Sequence, residues 1–186
     1  MKILFIPLLF ISFLFGACNN YSTKDPSSLF PKSKTMLHSF KDSIQSDTFR
    51  IVLRGHKPKD MELIFTITPK DGAPIYTTVL KAKALIDNYK ETVDLEKEEK
   101  QLLFLEEELN QFFDEENFLE PAVTENEIPD DNTPDKNFFN ELKKTGLDGF
   151  KYRTGKESKV YIAWSNAENK VKIYYQCCVL NEKSNI

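Results

Sequence analysis

Between residues 48 and 80 the chain holds three short runs in which every second side chain is apolar. That period of two constrains the fold more than any other feature. In Thr48–Arg54, Phe49, Ile51 and Leu53 share one side while Arg50 and Arg54 take the other. In Met61–Thr68, the set Met61, Leu63, Phe65 and Ile67 opposes Glu62, Thr66 and Thr68. Ile75–Leu80 is β-branched and aromatic. Successive strand side chains point to opposite faces, so each run reads as a half-buried strand. The links Gly55–Asp60 and Pro69–Pro74 are short, and the second contains Asp71-Gly72, a hairpin-compatible pair. An antiparallel meander with one apolar face is predicted.

The period then changes. Leu85, Ile86, Tyr89 and Val93 recur at helical spacing, and so do Leu102, Leu105, Leu109, Phe112 and Phe113. These predict helices over 83–93 and 100–117, although Leu102-Leu103-Phe104-Leu105 also fits the start of a strand. Pro121–Pro134 is polar and aperiodic and reads as loop. A short helix over Asp135–Thr145 is predicted, with Thr133 or Asp135 near its cap and Gly146 at its stop. Alternation returns in Lys159–Ser165 (Val160, Ile162, Trp164) and Lys170–Leu180 (Val171, Ile173, Tyr175, Cys177, Val179), joined by a turn at 166–169. Strands, helices, then strands give an α+β domain over 41–186. The meander and the C-terminal hairpin are expected in one antiparallel sheet covered by two or three helices.

The N-terminus is of another kind. Met1-Lys2 precedes thirteen uncharged residues, Ile3–Phe15, broken only by Pro7 and Ser12. As a helix that run reaches about 20 Å at about 1.5 Å per residue, too short for a hydrocarbon core of about 30 Å. It has the dimensions of a signal-peptide core. The segment Leu14-Phe15-Gly16-Ala17-Cys18 resembles a lipobox, with Phe15 in place of a smaller aliphatic residue and Gly16 unusual at its position. The relaxed form is similar to boxes of Bacteroidota lipoproteins. The resemblance implies removal of residues 1–17, lipidation of Cys18 and a membrane anchor through diacylglycerol and further acyl chains. Asn19, where an inner-membrane retention signal would place Asp, favours the outer membrane of the cell envelope. Residues 18–40, rich in Ser and Lys and broken by Pro26 and Pro31, are expected to form a flexible tether, with a short helical turn near Leu37, Phe40 and Ile44.

Charge is unevenly placed. Removing Lys2 leaves 24 basic against 29 acidic side chains, so bulk charge argues against a nucleic-acid partner. Within 91–131 there are sixteen Asp and Glu and two Lys. This acidic insert is either a solvated face that aids solubility or a docking surface for a basic partner or divalent cations. In the second case Glu106, Glu107, Glu108 and Asp114 are the candidate residues. Asp130-Asp131-Asn132-Thr133-Pro134-Asp135 offers oxygen ligands for calcium but lacks the EF-hand spacing.

Signatures of catalysis are missing from the sequence. It holds no Gly-x-Ser-x-Gly, His-Glu-x-x-His or phosphate-binding loop motif, and its two histidines are His38, assigned to the tether, and His56, in a turn. Cys177 and Cys178 are adjacent; an undistorted strand cannot join neighbouring side chains, so two thiols are expected, with Cys177 facing the core, and the alternative of a vicinal disulfide needs a bent or rearranged peptide. No catalytic residue, cofactor or metal site is assigned. Tyr161, Trp164, Tyr174 and Tyr175 in the last hairpin either form cross-strand pairs or stack on a sugar or peptide. The expectation is a non-enzymatic, lipid-anchored envelope protein that binds an unknown protein or envelope component. An inhibitor or immunity protein that turns its acidic segment on a basic toxin or hydrolase is the alternative, and an envelope hydrolase without a recognisable motif is a third.

Overall fold

The computed structural model describes residues 32–178, and the lipobox and Cys18 lie outside them. The order is β1 (Lys32–Ser39), β2 (Ser46–Arg54), β3 (Glu62–Thr68), β4 (Tyr76–Lys81), α1 (Ala82–Tyr89), α2 (Glu98–Gln111), β5 (Phe118–Leu119), α3 (Lys136–Thr145), β6 (Gly149–Arg153), β7 (Lys159–Ser165) and β8 (Lys170–Cys177). The fold is α+β and antiparallel, but the strands form two sheets rather than one, β1-β2-β3-β4 and β5-β6-β7-β8. No described helix is long and apolar enough to cross a membrane.

The first sheet follows its alternation. Phe49, Ile51 and Leu53 of β2 and Leu63, Phe65 and Ile67 of β3 are buried, in register across the ladder. Strand β1 occupies residues given to the tether and replaces the expected helical turn. Its core-facing positions are Lys32, Lys34, Met36 and His38, opposite Leu53, Ile51, Phe49 and Asp47. Only one of the four is aliphatic, so no apolar period marks the strand. The lysines are accommodated by α2: Lys32 pairs with Glu106 at 2.5 Å, and Lys34 donates to the carbonyl of Asn110.

Aromatic rings join the sheets. Phe150 of β6 lies 5.3 Å from Phe49 and 5.2 Å from Phe65, and Phe112 lies 5.1 Å from Phe65, centroid to centroid. Burying each such side chain contributes about 1.5–3 kcal/mol. At one margin the hydroxyls of Tyr76 and Tyr152 meet at 2.6 Å. Helix α2 ends at Gln111, short of the predicted 117, and Phe112 and Phe113 beyond it are both buried. Asn117 Nδ2 donates to the freed carbonyls of Gln111 and Phe112 at 3.3 and 3.2 Å.

The second sheet is covered on both sides. Val160, Ile162 and Trp164 of β7 face the shared core, while Ala163 faces a second cluster with Phe138, Phe139 and Leu142 of α3. Helix α3 has the predicted ends. Asp135 Oδ1 accepts from the N–H groups of Asn137 and Phe138, both at 3.0 Å, and Gly146 takes the left-handed φ of 63° that closes the last turn.

Candidate functional site

The site is built by an irregularity in β8. Tyr161 pairs with Tyr175, but the next pair is Ile162 with Ile173, which leaves Tyr174 as the extra residue of a β-bulge. A bulge re-aims side chains that strict alternation would place on opposite faces. Tyr174 and Tyr175 therefore lie on one side of the sheet with Tyr161, at centroid distances of 6.0 Å (Tyr161–Tyr174) and 5.3 Å (Tyr161–Tyr175), in edge-to-face arrangement. Trp164 separates from them: it is buried in the shared core, and its indole N–H donates to Asn166 Oδ1 at 3.1 Å.

The loop between β5 and α3 closes over the three tyrosines and leaves a cleft of about 400 Å³. Its floor is Leu119, Ala122, Val123 and Phe139, and its rim carries Thr124, Glu127 and Asp130. Ile128, 83% exposed, stands at the lip. The loop lacks regular structure, yet many of its polar groups are satisfied, as ordering such a segment requires. The Tyr174 hydroxyl donates to the Ala122 carbonyl at 2.9 Å, the Thr124 N–H to Glu127 Oε2 at 2.5 Å, and Lys143 Nζ to the Glu127 carbonyl at 2.8 Å. The Gln176 N–H donates to the Asn132 carbonyl at 3.0 Å, fastening the loop to β8.

Electrostatics separate the rings. Burial raises the Tyr174 phenol, and burial together with the neighbouring Tyr175 raises Tyr161, so both remain neutral donors. The Tyr175 hydroxyl instead donates to Asp130 Oδ2 at 3.1 Å. Partial desolvation raises the Asp130 carboxyl, but hydrogen bonds from the Asn132 N–H and from Tyr175 outweigh it, and the group is held below the usual carboxylate range. The cleft thus combines aromatic edges, an apolar floor and carboxylates at its rim. Neither histidine nor cysteine lines it.

The acidic residues singled out from sequence do not share one surface. Glu106 pairs with Lys32, and Glu108, its side chain only 12% exposed, pairs with Arg153 at 2.8 Å. Burial raises the Glu108 carboxyl against the pull of that guanidinium. Glu107 and Asp114 are exposed. In the 130–135 loop, whose oxygens could serve calcium, Asp130 and Asp135 are engaged as acceptors for backbone N–H groups, Tyr175 and Lys172. Cys177 and Cys178 form a disulfide instead of the two expected thiols; Cys178 leaves the strand at a φ of 63°, and that bend brings neighbouring side chains together. Cys177 pairs with Lys159, two residues from Tyr161 along β7, and so lies on the face away from the shared core. His56 is exposed in the β2–β3 link.

Sequence reasoning named the three tyrosines but not their common face, since a bulge leaves no mark on the alternation. No family model, curated protein or solved structure matches the chain.

Proposed function

We propose that the chain is a lipid-anchored protein of the bacterial cell envelope, held in the outer membrane through Cys18, whose folded domain binds an envelope ligand without transforming it. The leader Ile3–Phe15 and the segment Leu14–Cys18 support the anchor. The observation that carries the binding role is the bulge at Tyr174, which sets three tyrosines beneath one loop. A cleft of about 400 Å³ falls in the range of about 300–1,000 Å³ typical of ligand sites. Aromatic faces and edges suit the apolar faces of sugar rings, and rim carboxylates suit their hydroxyls. A segment of envelope glycan is the ligand class that fits.

Saturation-transfer NMR with the full chain in detergent and N-acetylated oligosaccharides tests this reading. Transfer to ring protons is expected, with affinity falling about tenfold, the equivalent of about 1.4 kcal/mol, in Tyr175→Ala. Absence of transfer, or transfer unchanged in that variant, rejects the cleft as the seat. Radiolabelled palmitate should enter the wild-type chain and not Cys18→Ser.

A further inference from the structure

We propose that His38, Glu120 and Asp148 form a binding site for a divalent transition-metal ion of the zinc class, set across the seam between the two sheets. His38 belongs to the edge strand of the first sheet, Glu120 follows β5, and Asp148 precedes β6. His38 Nε2 lies 3.5 Å from Glu120 Oε1 and 3.7 Å from Asp148 Oδ2, and the three ligand atoms all lie within 4.8 Å of one another. A zinc ion bound at about 2.0–2.2 Å holds its donors about 3–3.5 Å apart. A small inward movement of the carboxylates meets that requirement, and the Glu120 side chain, 63% exposed, is free to make it.

Three further features point the same way. His38 Nε2 is sealed from solvent and has no hydrogen-bond partner, an arrangement that is costly unless a ligand satisfies it. The imidazole is fixed in its aim by Phe118 at 4.2 Å and Phe49 at 6.1 Å, centroid to centroid. Neither carboxylate pairs with a described lysine or arginine, so two negative charges meet at the seam with one imidazole between them. One imidazole and two carboxylates match a zinc-class cation better than magnesium, which prefers all-oxygen shells and holds its waters. Exposure of Glu120 leaves a route for the ion and coordination positions for water. The site is separate from the tyrosine cleft, although Glu120 adjoins Pro121 at the cleft wall.

The test is equilibrium dialysis of the full chain in detergent, without reductant, against zinc chloride, with magnesium chloride in parallel. One zinc per chain is expected, unchanged in His56→Ala and weakened at least about tenfold in His38→Ala and in Glu120→Gln. Zinc should raise the thermal unfolding midpoint of the wild type and leave that of Glu120→Gln where it is. Glu120→Gln alters an exposed side chain, so it serves even if His38→Ala fails to fold. Absence of saturable zinc uptake, or uptake indifferent to Glu120→Gln, overturns the proposal.

Discussion

The first sheet turns one face to the core and the other to solvent, whereas the second has apolar cover on both. In β2 and β3 the buried positions alternate without a break, while in β7 the last four residues are all buried. A sheet with one wet face fixes the fold and offers little concavity. A sheet sandwiched between a core and an outer layer of helix and loop encloses space wherever that layer fits imperfectly. The tyrosine cleft lies in that second interval, between β7–β8 and the β5–α3 loop.

Truncating one large side chain in each interval breaks the comparison most directly. Phe65 and Leu142 are both fully buried. Phe65→Ala is expected to cost about 3–5 kcal/mol and Leu142→Ala about 2–5 kcal/mol, both read from urea unfolding. Amide exchange separates them: Phe65→Ala should speed exchange in both sheets, and Leu142→Ala most strongly in α3 and the cleft loop. Equal acceleration everywhere would show that the outer layer is no separate unit.

A smaller effect is expected at Gly149. A Cβ built there would lie 2.8 Å from Ala122 Cβ and 3.0 Å from the Tyr174 hydroxyl. Gly149→Ala should therefore lift the loop from β6 at a cost of about 1–3 kcal/mol. The Ala122 N–H, bonded to the Leu147 carbonyl at 2.8 Å, should exchange faster while Phe65 and its neighbours keep their protection.

The smallest effect concerns the α3 cap. Asp135→Ala should cost about 1 kcal/mol at neutral pH. The hydrogen bond from Lys172, and then that from the Phe138 N–H, lower the Asp135 carboxyl. A folded value below the unfolded one means that the stabilisation is complete above the unfolded pKa of about 3.9 and fades as pH falls through the folded value. Urea midpoints of wild type and Asp135→Ala should therefore converge in acid; a gap that stays constant would assign the cost to something other than the ionised cap.

What was legible in the sequence divides along the same line. The meander, the α3 cap and the Gly146 stop rest on local rules that the chain obeys, and all appear. The single-sheet expectation failed because alternation says which face is buried and nothing about which strands pair. Strand β1 was hidden because two of its four core-facing residues are lysines, which meet partners on a helix about seventy residues later in the chain. His38 was lost with it, since a histidine placed in a tether has no neighbours to suggest a role. Phe118–Leu119 and Gly149–Arg153 are too short to declare a period, and they become strands by pairing with each other and with β7.

Strand β1 also determines how the molecule bears mechanical load. Any tension arriving from upstream of Lys32 enters a ladder of eight residue pairs at its Lys32–Leu53 end. Where that tension peels β1 from β2, the pairs part in sequence, and His38–Asp47 is next to last. A peeling pull is thus spent along the edge of the first sheet before it reaches the seam.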